Sequence, residues 1–238
     1  MKKNKQIVVT GGNGRFGKIL RNKNFKNYIF PSKSELDITN IKSIDKYFKN
    51  KKISTVIHLA GLSRPMSIHE KKPEKSILLN IIWTSNLVII CKKYNIKIIY
   101  FSTSYVYPGI SGNYKENDAL LPFNNYSWSK LGGECAVKMY RNSLILRVCM
   151  TEKPFVHKKA LSDVKLNLLF QDEVVEILKK VLNRKGILNI GGPAKTVYQF
   201  ARKYDPYVKK IKAKDLRNIN FPKNSTMNLS KLKKIINY

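Results

Sequence analysis

Gln6-Ile7-Val8-Val9-Thr10-Gly11-Gly12-Asn13-Gly14-Arg15-Phe16-Gly17 is the stretch that decides the fold. Gln6 to Val9 reads as a short, fully buried strand, and Phe16 to Leu20 as the start of a helix. Between them Gly11, Gly14 and Gly17 recur at every third position, in the strand-turn-helix setting that lets a helix N-terminus hold a pyrophosphate. Glycine there lets the backbone approach the phosphates and lets the helix pack on the sheet. In isolation the glycine spacing is a weak signal, which a ligand-free tight turn also explains; the strand before it and the helix after it favour the phosphate site, with Asn13, Arg15 and Phe16 in the same turn.

Outward from that turn, strands and helices alternate. Tyr28-Ile29-Phe30 is a second strand stopped by Pro31, Ile41 to Phe48 has helical spacing, and Thr55 to Ala60 is a third buried strand. Helix-like sequence from Ile77 to Tyr94 leads to a fourth strand, Lys97 to Ser102; a helix runs from Tyr126 to about Tyr140, and Ser143 to Val148 is a fifth strand. Almost unbroken apolar strands between helices imply an α/β fold, a Rossmann-type doubly wound parallel sheet covered on both faces. The ligand site of such a sheet lies at the carboxyl ends of its strands, where Leu59-Ala60-Gly61 and Ser102-Thr103-Ser104 also fall. Residues 1–150 are read as the dinucleotide-binding domain and 151–238 as a small substrate lobe. Within the lobe 151–170 looks irregular and basic. A helix from Gln171 to Asn183 and a strand and turn over Gly186 to Gly192 are expected to pack back on the sheet, and Leu229 to Ile236 is amphipathic.

The chain has 238 residues, 43% of them hydrophobic, and no low-complexity tract, which is enough for a folded domain with a second lobe. Its formal charge of +31 comes from lysines spread along the chain in pairs such as Lys92-Lys93 and Lys209-Lys210. That distribution reads as solvated surface with a field that suits anionic substrates; a nucleic-acid partner is not favoured. Cys91, Cys135 and Cys149 are odd in number and lack metal-ligand spacing, so neither a metal site nor a disulfide framework is expected, and a cytoplasmic location fits. The apolar region Ile77 to Ile90 is broken by Trp83-Thr84-Ser85-Asn86 and ended by Lys92-Lys93, so no membrane span or membrane partner is expected. A homo-oligomer is compatible with all of this.

Chemistry enters with Tyr126-Ser127-Trp128-Ser129-Lys130. Positions four apart share a helix face, so the Tyr126 hydroxyl and Lys130 ammonium can meet. A cation beside a phenol, whose pKa is ordinarily about 10, stabilises the phenolate and makes tyrosine a usable acid and base. A hydroxyl from Thr103 at a strand end can hold the oxygen of a carbonyl or alcohol next to it. Alone, the spacing is weak evidence, and a chance match is usually a solvated helix face, because the chain has many lysines and 13 tyrosines. After the second strand comes Phe30-Pro31-Ser32-Lys33, without the acid that would bind a ribose 2′-hydroxyl, so NADP(H) is favoured and NAD(H) is the alternative. Ser32, Lys33 and Arg15 are the polar contacts offered there. Asp37, followed by Ile38, either accepts a bond from an adenine amino group or serves a helix-start turn.

Taken together, Thr10 to Gly17, Ser34-Glu35-Leu36-Asp37-Ile38-Thr39, Val56-Ile57-His58-Leu59-Ala60, Ser102 to Gly109 and Tyr126 to Lys130 resemble the extended short-chain dehydrogenase/reductase superfamily, and most closely its dTDP-4-dehydrorhamnose reductase group. The resemblance covers roughly residues 6 to 150. It implies that Thr103, Tyr126 and Lys130 are the catalytic set, that Lys130 also holds the nicotinamide ribose, and that Asn80 matches a position supporting the active site and cofactor. The implied function is NADP(H)-dependent reduction of a keto group on a nucleotide-activated sugar in surface-polysaccharide synthesis. A nucleotide-sugar epimerase that retains its cofactor uses the same residues. A non-catalytic cofactor-binding subunit, as in the regulatory subunit of methionine adenosyltransferase, is a third reading. Two departures stand out. Ser104 occupies a position where the family's reductases carry an acid and its dehydratases an acid pair, and the segment after Arg147 is shorter than the family's sugar-nucleotide pocket. Arg64, Lys153, His157 and Lys158 read as solvated surface or as anion contacts, and His58 as a packed residue.

Overall fold

The computed structural model describes residues 5–49, 51–216 and 221–236. Val8 and Val9 are fully buried in strand β1 (Gln6–Thr10), as are Val56 and Ile57 in β3 (Ile53–His58). Every residue of β4 (Lys97–Thr103) and β5 (Ser143–Val148) is buried. Burial of both alternating sets of side chains needs cover on two faces, which is why these strands appear in the sequence as continuous apolar runs. β1 pairs parallel with β2 (Tyr28–Ile29), Val8 against Ile29, and with β3, Val8 against Val56; β3 pairs parallel with β4, Val56 against Ile98. With β6 (Gly186–Ile190) the sheet has the order β6-β5-β4-β3-β1-β2. The chain leaves β1 for β2 on one side and returns past it to β3, so the topological switch lies between β1 and β3. This is the expected Rossmann-like sheet, with one strand beyond β1 on the β2 side.

Two compact units form: Met1–Phe101, Ser129–Ile145 and Arg184–Gly186 in one, and Ser102–Trp128, Leu146–Asn183 and Ile187–Tyr238 in the other. In the first, helix α1 (Arg15–Asn22) buries Phe16, Gly17 and Leu20, and α2 (Ile41–Lys49) buries Ile44 and Phe48, one turn apart. After a short helical turn, Ser67–Lys71, the long helix α3 runs Pro73–Lys93 and contains a π-helical turn, Ile77–Ile82. By length and composition α3 could cross a bilayer, which corrects the expectation that this region falls short. It is laid against protein, however, with Thr84, Leu87, Val88, Ile90 and Cys91 buried.

The second unit takes in the loop after β4 as well as C-terminal residues, because the two are stitched together by backbone bonds. Tyr114 N donates to Thr226 O at 3.0 Å and Asn224 N to Gly109 O at 2.7 Å. The stretch expected to be irregular holds short strands: Met150–Thr151 pairs with Leu169–Phe170, Lys159–Leu161 with Lys209–Ile211, and Lys165–Leu166 with Lys195–Thr196. Helix α5 (Gln171–Val181) starts where the Glu173 carboxylate accepts from Phe170 N at 2.7 Å. At the centre of this unit Arg147, 2% exposed, donates to Tyr107 Oη at 2.7 Å and to Glu116 O at 3.0 Å, while the Tyr107 and Tyr114 rings stack 5.0 Å apart.

Candidate active site

The glycine turn is built by close backbone approach. Gly11 has φ +72°, and a Cβ there would lie 2.5 Å from Ala60 N; one at Gly17 would lie 2.5 Å from Gly11 O. The ends of β1 and β3 and the first turn of α1 are thus pressed together as only glycine allows. Gly14 begins α1 with an extended backbone and no side-chain cap, so the N–H groups of that first turn are presented as an anion site. A pyrophosphate fits this cradle. Asn13 Oδ1 accepts from Arg21 Nη2 at 3.2 Å, and Arg15 Nη2 donates to Ser63 Oγ at 3.1 Å. Phe16 is buried against Phe101, ring centroids 5.1 Å apart.

After β2 the structure adds two groups that the sequence reading passed over. The Arg21 guanidinium stacks on Phe30, 4.8 Å from the ring centre. Glu35 closes a reciprocal capping box on Ser32: its Oε2 accepts from Ser32 N at 2.7 Å and Oγ at 2.9 Å, and Ser32 Oγ accepts from Glu35 N at 3.3 Å. These bonds lower the Glu35 pKa. The Glu35 carboxylate, beyond the acid-free stretch Phe30-Pro31-Ser32-Lys33, is thus turned back onto Ser32; the Ser-x-x-Glu spacing was the available clue. Lys33 beside it is exposed. Asp37 Oδ1 accepts from Thr39 N at 3.0 Å, the local turn role, and Ile38 is buried.

Leu59, Ala60 and Gly61 lead from β3 past Asn80. A Cβ on Gly61 would lie 2.7 Å from Asn80 Oδ1. Asn80 sits in the π turn and is 1% exposed; its Oδ1 accepts from Leu62 N at 2.7 Å, and its Nδ2 donates to Leu62 O at 2.9 Å and Ser129 Oγ at 2.8 Å. Its amide is engaged by protein. It supports the loop after β3 and the residue preceding Lys130. π turns recur at such sites because the extra residue re-aims a side chain.

His58 lies in the same network. Thr84 Oγ1 donates to Asn80 O at 2.8 Å, so it accepts from His58 Nε2 at 3.0 Å, and His58 Nδ1 accepts from Thr10 Oγ1 at 2.7 Å. The imidazole is the neutral Nε2–H tautomer. Burial, helped by the Lys130 charge, pushes its pKa down to about 3. It is a packed residue, as expected.

Lys130 Nζ lies 4.2 Å from the centre of the Tyr100 ring, and Tyr100 Oη donates to Lys130 O at 3.0 Å. Desolvation lowers the Lys130 pKa to about 7, against a weaker opposing pull from Glu134. Helix α4 (Asn125–Lys138) carries Lys130 and, one turn earlier, the half-buried Tyr126. Its start is set by Asn124, whose Oδ1 accepts from Ser127 N at 2.8 Å.

In the second unit Thr103 ends β4, 7% exposed, and its Oγ1 accepts from Tyr105 N at 3.3 Å. Ser104 is 1% exposed, and Ser225 Oγ donates to its carbonyl at 3.2 Å. Burial also raises the neighbouring Cys149 thiol to about 12. The position where the family carries an acid is thus a packed one here and not an exposed one. Lys153 Nζ lies 3.7 Å from Asp172 Oδ2, and His157 packs on Phe155. Among the described residues no three metal-ligating side chains are grouped.

The profile of the family described as RmlD substrate binding domain matches residues 5–182. The chain is 35% identical over 114 residues to methionine adenosyltransferase 2 subunit beta of Xenopus laevis, covering 48% of this chain and 33% of that protein. It is 28% identical over 137 residues to dTDP-4-dehydrorhamnose reductase of Mycolicibacterium smegmatis, covering 56% of this chain and 41% of that protein. The chain thus spans less than half the length of these two curated relatives. In fold it is similar to the crystal structure of dTDP-4-dehydrorhamnose reductase from Bacillus anthracis in complex with NADP, with TM-score 0.86 and 21% identity, covering 98% of this chain and 92% of that one.

Proposed function

This chain belongs to the RmlD substrate binding domain family, within the extended short-chain dehydrogenase/reductase superfamily, and on that premise we propose that it is an NADP(H)-dependent reductase of a keto group on a nucleotide-activated sugar, in surface-polysaccharide synthesis. The observation that carries this reading is the placement of Tyr126 and Lys130 one turn apart on α4, with the Lys130 ammonium desolvated over Tyr100. The uncapped start of α1 and the Gly11, Gly14 and Gly17 cradle would hold the dinucleotide pyrophosphate, and Arg21 and Lys33 favour NADP(H), with NAD(H) the alternative. Reduced nicotinamide, when bound, would supply a hydride.

The chain's own residues would supply the rest. Thr103 accepts a bond from Tyr105 N, which leaves its hydroxyl proton to donate to the keto oxygen. Tyr126 would give that oxygen the proton that completes the alcohol, and the Lys130 cation would stabilise the phenolate left behind. Because Lys130 titrates near neutral pH, it can pass a proton on at working pH. Asn80, through Ser129, would keep this helix in register with the loop after β3. The buried thiols Cys91 and Cys149 suit a reducing, cytoplasmic setting.

The test is NADPH oxidation with a panel of 4-keto nucleotide sugars. Turnover that disappears in Tyr126→Phe while NADPH still binds supports the reading; no turnover with any of them overturns it. The likeness to methionine adenosyltransferase 2 subunit beta favours one other reading, a cofactor-binding subunit without turnover. Tight NADPH binding, absent turnover and a stable enzyme partner would decide for it.

A further inference from the structure

Arg21 lies in the last turn of α1 and is exposed. A cation there suits the helix macrodipole, and that alone would account for an arginine at the position. Its side chain is placed for something else. Helical side chains lean toward the N-terminus, and Arg21 reaches back along α1 to the glycine turn, where its Nη2 donates to Asn13 Oδ1 at 3.2 Å. Its guanidinium lies over the Phe30 ring, 4.8 Å from the centre. Gly12 closes the third side: a Cβ there would lie 2.8 Å from Phe30 Cδ1 and 3.1 Å from Arg21 Nη2. The guanidinium is therefore held between the turn after β1 and the residue after β2.

This clamp fixes a charge and leaves it unneutralised. Among the described residues no carboxylate pairs with Arg21, and its remaining N–H groups have no protein acceptor. The first two acids after β2 are committed to their own segment, Glu35 accepting from Ser32 N and Oγ and Asp37 from Thr39 N. Lys33 is another cation at this strand end. It is exposed, and among the described residues no contact fixes it, so it must lose more side-chain freedom to hold the same anion.

We propose that Arg21 is the residue of this chain that selects NADP(H) over NAD(H), by donating to the 2′-phosphate of the adenosine ribose, with Phe30 as its positioning residue. The inference rests on the cofactor reading given above and deepens it. In a parallel sheet of this kind the ribose 2′ position falls at the end of the second strand, where the guanidinium is held. A phosphate monoester suits a planar fork of N–H donors, through paired bonds that an ammonium cannot reproduce, whereas a 2′-hydroxyl offers it no charge. The net charge of +31 favours any additional phosphate, so the control is a lysine of α1 outside the clamp.

The experiment is fluorescence titration of the full chain with NADPH and with NADH, joined by calorimetry with adenosine 2′,5′-bisphosphate and adenosine 5′-monophosphate, which differ only in the 2′-phosphate. The parent should bind NADPH roughly 10- to 100-fold more tightly than NADH. Arg21→Gln should abolish most of that ratio by weakening NADPH, while the NADH dissociation constant changes less than about threefold. Lys33→Gln should lower the ratio less than Arg21→Gln does. Lys18→Gln, which removes equal charge from an exposed position of the same helix, should lower it less than about twofold. Phe30→Leu keeps the charge and loosens its seat, so the ratio should fall roughly 3- to 10-fold, and Arg21→Lys should retain only part of it. The adenosine nucleotides should repeat the pattern with no nicotinamide present, and melting temperatures near the parent's should show that each variant is folded. A ratio near one in the parent, equal weakening of NADPH and NADH in Arg21→Gln, or as large a fall in Lys33→Gln or Lys18→Gln, would overturn the proposal and leave the cofactor reading standing. A Phe30→Leu effect shared equally by NADH would overturn the positioning role. Failure to bind either dinucleotide would overturn the proposal and the cofactor reading together. Turnover enters none of these measurements, so absent reductase activity is distinguished from a failed clamp.

Discussion

Gly17→Ala would place a Cβ 2.5 Å from Gly11 O, 2.7 Å from Gly12 Cα and 2.8 Å from Gly12 C. All three are backbone atoms, so no side chain can turn aside. To restore ordinary contacts of about 3.5 Å, the start of α1 must retreat by roughly 0.5–1 Å. Overpacking of this kind costs about 1–3 kcal/mol, which for a chain of this size lowers the melting temperature by roughly 3–10 °C. The same retreat pulls the N–H groups of α1 away from a bound pyrophosphate, and losing one such charged bond raises the dissociation constant roughly 10- to 100-fold. Gly14→Ala separates the two effects. Gly14 has φ −69° and ψ 169°, which alanine adopts freely, and its Cβ would meet only Gly11 O at 3.2 Å. The weaker helix start and the stiffer unfolded chain nearly cancel, so its melting temperature should stay within about 2 °C of the parent's. Its NADPH affinity should nevertheless fall, because the methyl group occupies the approach to the phosphates. Differential scanning fluorimetry and NADPH fluorescence titration read both quantities. A Gly14→Ala protein that binds NADPH like the parent would refute the cofactor cradle, and a Gly17→Ala protein with unchanged melting would refute the packing of α1.

Two further outcomes follow from buried polar groups. His58 has its pKa lowered from 6.5 to about 3 in the folded chain, so the unfolded state takes up a proton first as pH falls through that window. Stability should drop from about pH 6.5 toward pH 3, with a slope of at most about 1.4 kcal/mol per pH unit, and His58→Gln should flatten that part of a urea-denaturation series. A slope unchanged by the substitution would mean that His58 is not the titrating group. Asn80→Ala removes the partners of Leu62 N, Leu62 O and Ser129 Oγ, all within hydrogen-bonding distance of its amide. It should destabilise the chain by about 2–4 kcal/mol in the same assay, whereas a loss below about 1 kcal/mol would show that water replaces it there.

The sheet was legible because its strands are buried on both faces. Ser143–Val148 could be bounded to the residue from its apolar run, and the glycine turn could be placed because the elements on either side of it were clear. The short strands of the second unit were not. Lys159–Leu161 finds its partner in Lys209–Ile211, and pieces of two or three residues carry neither period to reveal them. In the site, Tyr126 and Lys130 were readable from helical spacing. Arg21 was not, because its place depends on Phe30 lying across a turn, and the full engagement of Asn80 depends on a π turn that residue types do not announce. Glu35 was readable in principle and was missed because its bond runs backward to Ser32.

The bonds joining Ala60 N, Thr10, His58, Thr84 and Asn80 O all donate in one direction. Such a row has a sense, like a line of arrows. No member can reverse without every other member reversing, and the ends forbid it: an amide N–H can only give and a carbonyl can only receive. The three side chains between them are thereby denied their usual freedom to swap donor and acceptor roles. Thr84→Val would free the other two, Thr10 and His58, and the first sign would be imidazole ring signals averaged between two tautomers, in a side chain that is 1% exposed.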